Sequence, residues 1–441
     1  MFLLPIALIA APVQAAPAPA TEIAAAVRAD YQKSLGSLFD WFHRNPELSF
    51  KEVNTAARMA KELRAAGATV TEKVGGTGVV AILKNGTGPT VLIRADMDGL
   101  PVREASGLPN MSVARQVGVD GVENPVMHAC GHDTHITALV ATARRLQAMK
   151  DRWKGTVVMI VQPAEERVGG AKAMVADGLY TRFPKPDYAL AFHVSAQQPT
   201  GTVSASTGIQ YSSSDSVEID VPGVGAHGAS PHAGKDPVYM ASQLVIALQG
   251  LISRERPPLS PGVITVGSFH SGAKHNIISD MAKLQVTVRA NDEKTRAQLI
   301  AGIKRVAESV GRLNGMPDDK LPKVTVSEGT PTTINDAALA TRLNAAMVRS
   351  LGADAVTPFE QNGMGAEDFA YLVQPDSGVK GYYFAVGGTP KAALDAAAAG
   401  GPPVASHHSA LFKVEAEPTI VTGATAMTVA TLELLGGGAA R

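Results

Sequence analysis

Three short apolar runs constrain this chain more than any other feature, because each ends in side chains able to do acid–base or metal chemistry. Thr90 to Arg94 (TVLIR) leads to Asp96 and Asp98. Thr156 to Val161 (TVVMIV) leads to Gln162, Pro163, Glu165 and Glu166, and Tyr188 to Phe192 (YALAF) leads to His193. Near-continuous apolar strands suit a sheet buried on both faces, and helical periods between them suit parallel crossovers. Ligands of open α/β sheets bind beyond the carboxyl ends of the strands. The expected fold is therefore α/β, a mixed and mainly parallel sheet flanked by helices, with a site gathered at that edge.

The texture changes near residue 211. Val217, Ile219 and Val221 alternate with polar residues, as do Leu284, Val286 and Val288, and then Val324 and Val326. Such alternation marks half-buried strands. With amphipathic helices over Val238 to Arg254 and Lys294 to Asn314, and a further strand at Val263 to Val266, the order is βαββαβ. Residues 211–329 are read as an inserted α+β lid or dimerisation domain, and residues 21–210 and 330–441 as one discontinuous catalytic domain. An open edge or face of the inserted sheet is a reason to expect a homodimer or higher homo-oligomer. After Pro331 the first texture returns, with a helix over Asp336 to Leu351, an apolar run at Gly381 to Val386, an Ala/Gly/Pro-rich loop over Lys391 to Ser406, and a last helix over Pro418 to Leu435.

Lys plus Arg equals Asp plus Glu, 40 each, and no basic stripe offers to neutralise phosphates, so nucleic acid is not an expected partner. Residues 1–20 are apolar and then small, as in a secretory signal peptide with Val13-Gln14-Ala15 as cleavage site, although no Lys or Arg precedes the apolar run. Export to the periplasm or medium is expected, without stable membrane association. Cys130 is the only cysteine, which excludes an intrachain disulfide.

Cys130 stands in the densest motif of the chain, Met127-His128-Ala129-Cys130-Gly131-His132-Asp133-Thr134-His135. Cys130 and His132, two apart, reach the same side of an extended segment, and both are good ligands for zinc-like ions. Asp133 is expected to start the following helix as its cap. His128 and His135 are read as core histidines or supports of the ligands. The adjacent carboxylates Glu165 and Glu166 divide naturally into a metal ligand and a base. With His193 and His408, Cys130, His132 and Glu166 make five ligands, enough for two ions sharing bridging groups. Gly223 to Gly228 matches G-x-G-x-x-G formally but does not open a helix, and no G-x-S-x-G elbow occurs.

In order, His43-Arg-Asn-Pro46-Glu47-Leu48-Ser49, Arg94-Ala-Asp96-Met-Asp98, the Met127 to Asp133 motif, Gln162-Pro-Ala-Glu165-Glu166, Gly365-Ala-Glu367-Asp368-Phe369 and His408-Ser409 closely resemble the metal-dependent aminoacylase/carboxypeptidase superfamily. The likeness is to its amidohydrolase branch, which includes hippurate hydrolases and indoleacetyl-amino-acid hydrolases, and it spans about residues 35–435. It implies a di-metal exopeptidase-like fold with an inserted lid. It also implies two divalent ions per subunit (zinc or manganese first, then cobalt or nickel) held by Cys130, His132, Glu166, His193 and His408. Glu165 then falls on the general base and Asp98 on a supporting carboxylate. His227 falls on a histidine that assists the transition state, sometimes from a partner subunit, and Asn276 and Arg289 on contacts to a substrate carboxylate. Where the family commonly has His-Ser-Pro, this chain has His407-His408-Ser409-Ala410, and His408 is taken as the ligand because Ser follows it.

The expected activity is hydrolysis of the amide bond of N-acyl amino acids or similar small conjugates, with Glu165 as base. A carboxypeptidase or dipeptidase using the same site is the rival within enzymes. A periplasmic metal- or solute-binding protein is the rival outside them, and the spare carboxylate beside Glu166 argues against it.

Overall fold

A computed structural model describes residues 20–436. The expected signal peptide, apart from Ala20, and the tail beyond Gly436 lie outside the described residues. Eight strands form one sheet in the order Thr69–Val74, Gly78–Asn85, Gly155–Gln162, Thr90–Asp96, Tyr188–Pro199, Lys380–Thr389, Val203–Ser204, Val356–Thr357. The four central strands, Gly155–Gln162 to Lys380–Thr389, run parallel, while Thr69–Val74 and Gly78–Asn85 add an antiparallel edge. Every side chain from Val91 to Asp96 and from Val157 to Gln162 is buried, which is why these runs show no polar alternation.

Successive residues of those strands feed two different cores, as strand geometry requires. Ile93, Met159 and Leu190 pack with Ile136, Val140 and Met427 on one face; Leu92, Val158 and Ala189 pack with Met174, Phe369 and Leu372 on the other. The helix Ala416–Leu435 is long and apolar enough to cross a bilayer. Here it is a core helix, packed against His132–Ala148, Ala20–Asp30 and Ala337–Leu351.

Residues 213–330 build a separate four-stranded antiparallel sheet in the order Gly262–Ser271, Met281–Ala290, Ser213–Pro222, Lys323–Thr330. Helices Pro237–Ser253 and Glu293–Leu313 cover one face, where Val217, Ile219, Val221, Leu284, Val286 and Val288 meet Leu244, Leu248 and Ile303. Asp236 and Asp292 cap the two helices by accepting from Val238 N–H and Thr295 N–H. The Gly223 to Gly228 stretch opens no helix; it enters a two-stranded ribbon, Ala226–His227 against Ile277–Ile278. Three expectations of local structure need correction, the first of them here. The stretch Lys391 to Ser406 is not all loop, since Lys391–Ala398 is a helix: its alanines favour that state, and only the Gly and Pro residues behind them break it.

The chain re-enters the main sheet through Asn335, which is buried. Its Nδ2 donates to Ser206 O (2.9 Å) and Tyr383 O (2.8 Å), and its Oδ1 accepts from Tyr383 N–H (2.6 Å). Asn335→Leu strips a partner from the buried Tyr383 N–H and Tyr383 O and one of two donors from the half-buried Ser206 O, and is expected to cost about 2–4 kcal/mol. Urea or thermal unfolding measures this; wild-type stability in the variant would contradict the pinning role.

Candidate metal centre

Register brings the candidate residues together. Asp96 lies opposite Gln162 in neighbouring parallel strands, and His193 opposite Ala385 in the next pair, so the carboxyl ends form one edge. The other two corrections fall here. Cys130 and His132 do not sit on an extended segment: Cys130 is in a turn and His132 opens the helix His132–Ala148. The cap of that helix is Gly131 at φ 85°, not Asp133. A Cβ on Gly131 would stand 2.4 Å from Val194 Cγ1, so only glycine turns the chain this tightly. Asp133 instead accepts from His43 Nδ1 at 2.7 Å.

Cys130 Sγ lies 3.4 Å from His193 Nε2. The other nitrogen of His193 faces Val194 O at 2.7 Å; a carbonyl only accepts, so Nδ1 carries the proton and Nε2 presents its lone pair toward Cys130. His132 is held in the same way, with Nδ1 donating to Asp98 O at 2.8 Å. Its Nε2 is buried without a hydrogen-bond partner, as is Glu166 Oε1, 3.9 Å away. His408 Nε2 reaches Glu166 Oε2 at 3.4 Å. His407 turns elsewhere, donating to Val194 O at 2.9 Å with its ring against Phe412.

These groups fit a divalent cation on two observations. Cys130, His132 and His193 form one close set of ligand atoms; Cys130, Glu166 and His408 form a second, with Cys130 common to both. The cluster is also short of positive charge. Burial disfavours a proton on His132, yet Asp96 and Asp98 hold its pKa up at about 10. Burial, with Glu166 and Glu165, pushes the Cys130 thiol well up, so a thiolate here needs a cation beside it.

His135 is near but cannot ligate. Its Nδ1 donates to Asp96 Oδ1 at 2.6 Å and its Nε2 accepts from Val194 N–H at 2.9 Å, leaving no lone pair, and burial lowers its pKa to about 3. His128 is buried, with neither ring nitrogen bonded among the described residues.

Glu165 and Glu166 part company through a turn rather than through the pleat of a strand. The strand ends at Gln162, Ala164 takes a left-handed conformation at φ 49°, and Glu165–Arg167 form one 3₁₀ turn. Glu166 then groups with Cys130 and His408, whereas Glu165 groups with Glu367 and Asp368; both also flank His132 Nε2, at 3.9 and 4.0 Å. Burial, then Glu367 and Glu166, raise the Glu165 pKa well above the usual carboxylate range. Asp98 sits behind the turn, accepting from Glu165 N–H and Glu166 N–H at 3.1 Å each and from Ser49 Oγ at 2.6 Å.

The three candidate residues of the inserted unit stand apart. Among the described residues no hydrogen bond or ion pair joins His227, Asn276 or Arg289 to the cluster. His227 is exposed, and its Nδ1 accepts from Ala229 N–H at 3.0 Å, which leaves the proton on Nε2 as a free donor. Asn276, at the adjoining end of the ribbon, has an unpartnered Oδ1. Arg289 lies on the uncovered sheet face with no hydrogen bond or ion pair among the described residues, and burial lowers its pKa, only partly offset by Asp215. Reading the sequence assigned no role to Arg94 or Asp96, though both stand in a motif it singled out. What it lacked was the register that sets Arg94 against Glu367.

Fold and cluster together define a metal-dependent hydrolase: ligands at the carboxyl edge of a parallel sheet, with a spare carboxylate beside them. Residues 92–398 match the profile of peptidase family M20/M25/M40, and the chain belongs to that family. It is 37% identical over 308 residues to a hippurate hydrolase of Campylobacter jejuni, covering 70% of this chain and 76% of that one. It is 35% identical to thermostable carboxypeptidase 2 of Saccharolobus solfataricus, covering 78% and 83%. A solved Bacillus subtilis structure, described as a dinuclear metal-binding peptidase of the M20 family, superposes with a TM-score of 0.73 at 26% identity, covering 92% of this chain and all of that one. The chain is accordingly a metal-dependent amide hydrolase.

The support beneath the ligand helix rests on a charged pair. His43 also meets Glu104 Oε1 at 3.2 Å. Burial lowers its pKa, but the hydrogen bonds to Asp133 and Glu104 outweigh it and raise the value to about 10. A pKa raised above the unfolded value of ~6.5 stabilises fully below that pH and ceases to do so as pH rises through about 10. The stability difference between wild type and His43→Gln is expected to shrink from pH 6 to pH 10 in denaturant titrations. A constant difference would refute the charged assignment.

Proposed function

We propose that the protein hydrolyses the amide bond of N-acyl amino acids and similar small conjugates. The observation that carries this is the division between Glu166, turned to Cys130 and His408, and Glu165, turned to Glu367 and Asp368. A binding protein has no use for the second carboxylate.

Cys130, His132, Glu166, His193 and His408 would hold two divalent ions, zinc or manganese before cobalt or nickel. The chemistry such ions supply when bound is acidification of a water molecule and polarisation of the scissile carbonyl. Glu165 takes the proton of the attacking water and passes it to the departing amine nitrogen; its raised pKa suits both halves of that exchange. Asp98 keeps the two glutamates in place. His227, with its proton on Nε2, is a donor to the tetrahedral oxyanion. Arg289, unpaired, offers its fork to the free carboxylate of the amino acid, and Asn276 adds a polar contact beside it. Because His227 does not touch the cluster, a closed lid or a second copy of the chain would complete the site.

Glu165→Gln is expected to lower kcat on N-benzoylglycine by about 10²–10⁴-fold while metal content, measured on the same sample, stays at the wild-type level. Full activity in the variant would refute the base assignment. Arg289→Met is expected to raise KM about tenfold or more for N-benzoylglycine, the loss of one charged hydrogen-bonding partner, and to leave the corresponding N-benzoyl amide unaffected; equal KM changes on both would refute the carboxylate contact. Faster turnover of dipeptides than of N-acetyl and N-benzoyl amino acids would favour the carboxypeptidase reading, which the Saccharolobus relative supports.

A further inference from the structure

Glu52 is wholly buried, and neither the ligand set nor the proposed mechanism uses it. Its carboxylate is nonetheless fully engaged. Oε1 accepts from Ala164 N–H at 2.8 Å and from Phe50 N–H at 2.9 Å, and Oε2 accepts from Thr77 Oγ1 at 2.5 Å. Ala164 is the residue immediately before Glu165. Three consecutive backbone N–H groups, those of Ala164, Glu165 and Glu166, are therefore each received by a buried carboxylate, the first by Glu52 and the other two by Asp98.

That arrangement answers a local difficulty. Ala164 at φ 49° and Phe50 at φ 62° both hold left-handed backbone without being glycine, a conformation disfavoured in L-residues. Both are residues whose N–H Glu52 receives. The same turn brings Pro163 O so close to Gly170 that a Cβ there would lie 1.5 Å from it, so the loop has one compact form to adopt. A run of N–H groups in such a turn makes an anion-binding concavity. Here two side chains from distant parts of the chain fill it, and the turn they fix is the one that sends Glu165 and Glu166 in different directions.

We propose that Glu52 is a positioning residue for the Glu165–Glu166 turn, acting through its reach to Ala164 N–H rather than through its charge. The inference rests on the reading of Glu165 as base for its kinetic consequence, but not for its structural one. Two variants separate reach from charge. Glu52→Gln keeps an acceptor oxygen at the same distance and removes the charge; Glu52→Asp keeps the charge and withdraws the oxygen by one methylene.

Two readouts are made on each full-length variant. Hydrogen–deuterium exchange over residues 158–172 is expected to match wild type in Glu52→Gln and to be at least tenfold faster at the turn in Glu52→Asp. On N-benzoylglycine, kcat is expected to fall about 10–100-fold in Glu52→Asp, as when a partner that orients a site residue is lost, with KM within about twofold of wild type, and to be retained in Glu52→Gln. The reverse order, an active Asp and an impaired Gln variant, would overturn the proposal, as would unchanged exchange in Glu52→Asp. If wild type itself fails to hydrolyse the substrate, the functional reading falls and the exchange experiment still decides the role of Glu52.

Discussion

The buried guanidinium of Arg94 is the interaction on which both halves of the site depend. It donates to Gln162 Oε1, Asp96 Oδ2, Glu367 Oε1 and Asp368 Oδ1 at 2.8, 2.7, 2.6 and 3.2 Å, with no exposure of its side chain. A fixed cation so deep in the protein is stable only with carboxylates around it, and they only with it. From Asp96 the consequences run outward through His135 and Val194 N–H to His193, whose ring orientation is thereby fixed. From Glu367, also bound by Tyr383 OH at 2.5 Å, they run to Glu165. One arginine thus sets the ligand side and the base side, and it ties the third strand of the chain to a segment 273 residues later.

Much of this was legible in the sequence, for a physical reason. A strand buried on both faces is mostly apolar, so carboxylates and imidazoles just beyond such runs stand out, as Glu165, Glu166 and His193 did. The alternation from Val217 to Val326 was equally plain, because a sheet with one covered face records that face in every second residue. The cap of the ligand helix was not legible: Asp133 has the right chemistry, and only the closeness of Val194 to Gly131 shows why glycine holds the position. Arg94 and Glu52 were hidden because their partners come from register and loop closure, which local pattern does not encode. Among the histidines, spacing could not tell ligand from support. What separates His132 and His193 from His135 is which ring nitrogen a backbone group has already taken.

The inserted sheet has its own apolar core, and none of the core residues there packs into the main one. Its uncovered face carries Arg289, and its ribbon carries His227 and Asn276, so three residues of one proposed task share one small unit. The two units meet through polar contacts, Asn291 with Gln361 and Arg167 with Glu328 among them, rather than through a shared apolar core.

The position of the helix Ala416–Leu435 bears on how the molecule is made. It lies against His132–Ala148 and between helices from the beginning and the later part of the chain, and its own side chains are buried almost throughout. A ribosome delivers it after everything it must cover. Without it Ile136, Leu139 and Val140 lack part of the apolar layer that covers them. Completion of that core therefore depends on contacts between segments far apart in the sequence, a topology that slows folding relative to one built from local contacts.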